Sequence, residues 1–305
     1  MKTKDLITID DLTARDIFDI MKLAKKLKKA PLSKKDVLKN KTLALLFQKP
    51  SNRTRVSFEV AMVHLGGHVL YLSPNEIDMG TREPVKDVAR VISRYVDAVV
   101  ARVFAHQDVV DFAYHSHVPV INGLSDFAHP CQALSDMFTV MERFKRLKKV
   151  TLAYVGDGNN VLNSLLIAGA KIGLNMKIAV PEGYGPSSEV FCSASQIAKK
   201  NRVSLEKFNN PREAVKGADV VYTDVWISMG QESEKEKRLK DFKDFQINKQ
   251  LMREAKPDAL IMHCLPAHRG QEITDVIDGK NSIVYDQAEN RMHVQKAILL
   301  KLINP

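Results

Sequence analysis

Apolar residues recur along the chain in two alternating rhythms. One consists of short runs rich in Val, Ile, Leu and Tyr: "TLALLF" (42–47), "HVLYL" (68–72), "DAVVARVF" (97–104) and "VPVING" (118–123) in the first half. The second half adds "VTLAYVG" (150–156), "MKIAVP" (176–181), "VSLEKF" (203–208), "DVVYTDVW" (219–226), "ALIMHCLP" (259–266) and "SIVYDQ" (282–287). Between them lie amphipathic stretches such as "VKDVARVISRYV" (85–96) and "SLLIAGAKIGL" (164–174), and the chain closes on a helical pattern, "RMHVQKAILLKLI" (291–303). Buried-looking strands alternating with helices predict an α/β protein whose parallel sheets are covered by helices. About ten strands exceed what one small domain holds, and 305 residues suffice for two. The basic segment "RFKRLKK" (143–149) precedes a new strand, so the boundary is expected near residues 135–149. No sequence repeat is evident, although the strand–helix rhythm recurs in both halves.

Composition narrows the class. No apolar stretch approaches the roughly 20 residues that a membrane helix needs. The opening "MKTKDLITIDDLTARD" carries charges where a secretory leader would be apolar, so a soluble, cytoplasmic protein is expected. The formal net charge is +10, but much of the basic excess lies in "KLAKKLKKAPLSKK" and "RFKRLKK", which read as solvated helix ends and connections. Those segments lack the interleaved aromatics of a nucleic-acid surface, and no nucleic-acid partner is expected. A positive field suits small phosphorylated anions instead. The three cysteines, Cys131, Cys192 and Cys264, lack the pair spacing of a structural zinc site and are too few and odd in number for a disulfide framework.

In open parallel sheets ligands bind beyond the carboxyl ends of strands. The unusual polar clusters fall at such ends, after "LALLF", "VVARV", "VING", "AYVGD", "VVYTDV" and "IMHCL", which points to one composite cleft between two domains. In the first cluster, Ser51-Asn52-Arg53-Thr54-Arg55, Ser51 stands at a helix N-cap position. The free N–H groups of a first turn, two hydroxyls and Arg53 together make a phosphate seat. A capped helix with exposed arginines would use the same residues for structure alone. No GxxxxGK[ST] sequence occurs, so a nucleotide P-loop is not supported. In "HPCQALSD" (129–136), His129 and Gln132 bracket a turn and can respectively donate to a carbonyl and accept from an amide; a lone histidine is also a common structural hydrogen-bonder. "VGDGNNVLNSLL" (155–166) resembles a dinucleotide turn but lacks the GxGxxG spacing, and "MKIAVP" ends without the acidic residue that would hold a ribose. Its paired asparagines suit a carboxylate or amide. In "TDVWISMG" (223–230), Asp224 can pair with an ammonium, while Ser228 and the backbone around Met229 and Gly230 can donate to a carboxylate. "HCLPAHRG" (263–270) can expose carbonyls to a reacting amine. Metal binding by His263, Cys264 and His268 lacks a local fourth ligand, and no metal is expected.

Taken together, these segments resemble the aspartate/ornithine carbamoyltransferase family along essentially the whole chain. The family's phosphate signature F-x-[EK]-x-S-[GT]-R-T is met by Phe47, Lys49, Ser51, Arg53 and Thr54, with Asn52 where Gly or Thr is usual. "HPCQ", "DVWISMG", "HCLPAHRG" and "AENRMH" (288–293) are similar to the ornithine branch. The resemblance implies two α/β domains, each a parallel β-sheet flanked by helices, with the C-terminal helix returning to the N-terminal domain: residues 1–135 plus 286–305 for carbamoyl phosphate, 136–285 for ornithine. It implies transfer of a carbamoyl group from carbamoyl phosphate to the ornithine δ-amine, without cofactor. Ser51, Asn52, Arg53, Thr54, Arg102, His129, Gln132 and Arg291 would bind carbamoyl phosphate, with Cys264 and Leu265 beside the reacting amine. Asn160, Asp224, Ser228 and Met229 would grip the amino acid. Arg102, His129 and Cys264 are the expected catalytic residues. A homotrimer or a multiple of trimers is also implied, with the segment "NEIDMGTREPVKD" (75–87) entering a neighbouring subunit's site. Asp78 in that segment stands where relatives often have glutamine, and a carboxylate there would repel phosphate.

Overall fold

Strands covered on both faces need continuous apolar runs, and most of the runs named above form such strands. In the computed structural model, which describes residues 3–77, 79–228 and 231–304, the chain divides into two units, Met1–Phe138 with Glu289–Pro305 and Thr139–Ala288. Among the described residues the first unit holds β1 (Thr42–Phe47), β2 (His68–Leu72), β3 (Ala98–Arg102) and β4 (Val120–Leu124), ordered β2-β1-β3-β4, with every pairing parallel. The second holds β5 (Thr151–Val155), β6 (Asn175–Ala179), β7 (Leu205–Phe208), β8 (Val220–Thr223) and β9 (Leu260–His263). Their order is β7-β6-β5-β8-β9, again wholly parallel.

Parallel strands require crossover segments, and helices supply most of them. The helices of the first half are α1 (Ala14–Lys29), α2 (Asn52–Val63), α3 (Pro74–Ile77), α4 (Val85–Ile92), α5 (His106–His115) and α6 (Pro130–Arg143). The second half adds α7 (Asn160–Ile172), α8 (Ser188–Asn201), α9 (Pro211–Val215), α10 (Lys235–Asp241), α11 (Lys249–Met252) and α12 (Val284–Ile303). Each unit buries its own core: Val99, Ala101, Val109 and Phe112 in the first, Val155, Val221, Phe242 and Ile261 in the second.

One expectation fails. "SIVYDQ" is not a tenth strand: Ser282 makes a single bridge to Ile261, and α12 begins at Val284. In its first turns Ile283, Val284, Gln287, Asn290 and Arg291 are buried while the residues between them are not, so the run belongs to the helical period. From Glu289 onward α12 belongs to the first unit. There the fully buried Lys296 donates to the Pro31 carbonyl (3.0 Å) just beyond α1, and Lys28 of α1 donates to Asn290 (2.8 Å). Among the described residues no helix is long and apolar enough to cross a membrane.

Strand order fixes where ligands can sit. In the first sheet the chain runs from β1 outward to β2, then returns to place β3 on the other side of β1; in the second it leaves β5 toward β6 and β7, then returns to β8. The loops leaving β1 and β3, and those leaving β5 and β8, therefore diverge to opposite sides and open a crevice at each switch point.

Candidate active site

The switch point of the first sheet carries the arginines. Phe47 and Arg102 are register partners at the ends of β1 and β3, and the Gln48 N–H donates to the Arg102 carbonyl (2.8 Å), so the run leaving β1 starts beside Arg102. Ser51 adopts extended backbone and caps α2: its Oγ accepts from the Thr54 N–H (3.3 Å) and donates to Thr54 Oγ1 (3.1 Å). Asn52 is the first residue of α2, with its side chain exposed, and can offer a backbone N–H. Arg291 reaches this turn from α12, its Nη2 donating to the buried Thr54 Oγ1 (2.8 Å).

His129 and Gln132 enter from the loop and helix after β4. The loop is held by Asn122, whose buried carboxamide donates to the Ile7 carbonyl (2.9 Å), Ser125 Oγ (3.2 Å) and the Ala128 carbonyl (3.4 Å). Burial and the charges of Arg291, Arg102 and Arg53 hold the His129 imidazole well below its ordinary pKa. It is therefore neutral at neutral pH, with one N–H to donate. Arg102 is also buried, and desolvation with Arg291 and Arg53 nearby brings it down to about 10, which leaves it charged. Gln132 donates to Asp136 (2.8 Å), which leaves its buried Oε1 without a protein partner among the described residues. The Nε atoms of Arg53 and Arg102 share that condition. Mutually repelling guanidiniums, a helix N-terminus and an orphaned amide oxygen, all carried by this unit, suit an anion that also carries an N–H group.

The switch point of the second sheet is organised around Asp224, buried just past β8. Its Oδ1 accepts from Cys264 Sγ (2.8 Å) and from its neighbour's N–H, Val225 (2.8 Å). Its Oδ2 accepts from Asn159 Nδ2 (2.7 Å), while Asn159 Oδ1 caps α7 by accepting from Val161 (3.0 Å) and Leu162 (3.2 Å). Asn160, half-buried, opens α7 beside it. Sequence reasoning named Asn160 and missed the carboxamide that joins Asp224 to the helix cap; the paired asparagines at a strand end were the available signal. Ser228 is half-buried, and its N–H donates to Gln231 Oε1 (3.0 Å). Met229, with Gly230, and Asp78 in the first unit lie outside the described residues.

Cys264 and Leu265 follow β9, next to β8 in the sheet. Leu265 has φ of +59° and precedes a cis proline; its N–H donates to His263 Nδ1 (2.8 Å). That places the imidazole proton on Nε2, which faces Glu272 Oε1 at 3.2 Å, both residues being fully buried. Glu272 was not singled out in the sequence. Asp224, His263 and Cys264 have donor atoms within 4.8 Å of one another. His263, however, has both ring nitrogens engaged and no lone pair to offer, and Cys264 Sγ points its hydrogen at Asp224, so the trio fits a hydrogen-bond network better than a metal centre.

Two family models match the chain one after the other, the second of them including most of α12. Residues 4–142 match the family model of the aspartate/ornithine carbamoyltransferase carbamoyl-P binding domain, and residues 148–302 that of the Asp/Orn binding domain. The chain belongs to the aspartate/ornithine carbamoyltransferase family. It is 55% identical to the ornithine carbamoyltransferase of Pyrococcus abyssi, covering 99% of this chain and 96% of that one. The solved ornithine carbamoyltransferase from Pyrococcus furiosus superposes with a TM-score of 0.94 at 56% identity over 97% of this chain and 96% of its own. The anabolic enzyme from Campylobacter jejuni gives 0.94 at 41% identity, with 99% of each chain covered.

Proposed function

We propose that the chain transfers the carbamoyl group of carbamoyl phosphate to the δ-amine of L-ornithine, giving L-citrulline and phosphate. The observation that carries the reading is the cluster of Arg53, Arg102 and Arg291 around His129 at the first switch point, anchored by the Arg291–Thr54 hydrogen bond (2.8 Å). Arg53, Arg291, the hydroxyls of Ser51 and Thr54 and the Asn52 N–H hold the phosphate. Arg102 spans phosphate and carbonyl oxygen, His129 donates to that oxygen, and Gln132 Oε1 accepts from the carbamoyl N–H. Asp224 pairs with the α-ammonium of ornithine, and Asn160, Ser228 and Met229 take the α-carboxylate.

The chemistry is acyl transfer to an amine. The neutral δ-NH2 attacks the carbamoyl carbon, negative charge grows on the carbonyl oxygen, and the C–O bond to phosphate breaks. Arg102 and His129 stabilise the oxyanion; Arg53 and Arg291 stabilise the departing phosphate. Holding the two substrates in line supplies much of the remaining acceleration. The δ-ammonium, like a lysine with a pKa of about 10.4 in water, must first lose its proton. The partly desolvated surroundings of Cys264 favour the neutral amine. Replacing Cys264 by alanine is expected to move the ascending, acid-side limb of the kcat pH profile, which reports deprotonation of the bound amine; an unmoved limb would remove Cys264 from that role.

A cytoplasmic homotrimer, or a multiple of trimers, is the assembly this reading includes, with residues 75–87 reaching a neighbouring subunit. Citrulline formation for arginine synthesis and the reverse, degradative direction use the same groups. The deciding experiment is ureido-product formation from carbamoyl phosphate with ornithine, putrescine, N-acetylornithine and aspartate in parallel. Turnover with ornithine alone is expected. Turnover with putrescine instead would retain the phosphate seat and discard the roles of Asp224 and Ser228.

A further inference from the structure

Helix α10 reads in sequence as a solvated run, "KEKRLKD", and its lysines and Glu236 are exposed. Arg238 alone among its charged residues is buried, with 6% of its surface exposed. Its guanidinium meets segments leaving three strands. Nη1 pairs with Asp157 (3.2 Å), two residues beyond β5, and donates to the Trp226 carbonyl (3.0 Å), three residues beyond β8. The Tyr184 ring, from the loop after β6, lies under the guanidinium at 5.0 Å, and Tyr184 donates its hydroxyl to Asp241 at the end of α10 (2.7 Å). Nε donates to Glu234 (2.9 Å) one turn earlier.

A buried guanidinium is unfavourable unless carboxylates and carbonyls compensate it, and an apolar residue would anchor a short helix as well. What the charge adds is directional. It fixes the Trp226 carbonyl two residues before Ser228, and the Asp157 side chain two residues before Asn159, the residue that donates to Asp224. We propose that Arg238 is a positioning residue for the amino-acid half of the site, holding the Asp224–Ser228 loop and the Asp157–Asn160 turn in a fixed register and thereby setting the affinity for ornithine. The inference rests on the reading that these two segments bind the amino acid.

The test compares Arg238→Met, Arg238→Lys and Asp157→Asn with the unmodified protein, measuring KM for each substrate, kcat at saturation and thermal midpoint. Arg238→Met is expected to raise the ornithine KM at least tenfold, with the carbamoyl phosphate KM within twofold and kcat within about fivefold. Arg238→Lys, whose single nitrogen can replace Nη1 at Asp157 and Trp226 but not Nε at Glu234, should recover part of that loss. If Arg238→Met does not fold, Asp157→Asn carries the same expectation with a smaller change in volume. Unchanged ornithine KM in folded variants, or equal losses for both substrates, would overturn the role of Arg238. Absence of ornithine turnover in the unmodified protein would instead overturn the functional reading on which it rests.

Discussion

Replacing Arg102 with methionine is expected to lower kcat by roughly two to three orders of magnitude, the effect of removing one oxyanion donor from a preorganised site. The same substitution should leave thermal stability unchanged or raise it. Arg102 is buried, and its pKa is brought down to about 10 by desolvation and by the like charges of Arg291 and Arg53. Its ionised form therefore works against the folded state when no anion is present, and an apolar side chain of similar length removes that cost. Steady-state citrulline formation alongside a thermal melt checks both halves. A methionine variant with near-normal kcat would sink the oxyanion role. One that loses activity only because it melts early would sink the claim that the charge is kept for chemistry.

The second large effect is expected at Asp224, in the ornithine KM. Asn is nearly isosteric, yet every orientation of its amide places an NH2 against an existing donor. On one side stand Cys264 Sγ and the Val225 N–H; on the other is Asn159 Nδ2. Asn159 cannot simply turn over, because its Oδ1 already caps α7. Asp224→Asn thus disturbs the helix start that carries Asn160 and, on the proposed reading, removes the counter-charge for the α-ammonium. Hydrogen bonds to charged groups contribute about 1.5–3 kcal/mol, so the ornithine KM should rise about 10- to 100-fold. Carbamoyl phosphate saturation should change little. Equal damage to both substrates would argue against an amino-acid-specific role.

Much of the fold was readable because the central strands of each sheet are buried almost throughout. "TLALLF" and "VTLAYV" are nearly continuous apolar runs, and the polar residues that abruptly follow them mark strand ends, where parallel sheets put their ligands. "SIVYDQ" misled because a short apolar run has no period of its own, and its helical phase emerges only with Gln287, Asn290 and Arg291. The candidate site was legible where a residue's own neighbours announced it, as with Ser51 and Thr54 beside Arg53. Arg238, Asn159 and Glu272 were not. Arg238 sits among exposed lysines, and its partner Asp157 lies 81 positions earlier, from 238 − 157. Asn159 is a helix cap in sequence terms, and Asp224, which gives it a second task, is 65 residues away. Glu272 acts on His263 within a buried pair whose burial no local pattern reveals.

The hydrogen bond between Arg291 and Thr54 joins residues 237 apart, although both belong to the same unit. During synthesis, at roughly 5–20 residues per second, on the order of 10 to 50 s separate the emergence of the two side chains. The unit begun first is therefore finished last. A nascent chain that already carries β1 to β4 has no Arg291 to close over Thr54, and Lys28 and Pro31 have no partners yet from α12. A chain that stops short of α12 lacks one of the three guanidiniums around His129. Full affinity for an anion thus waits on the synthesis of α12.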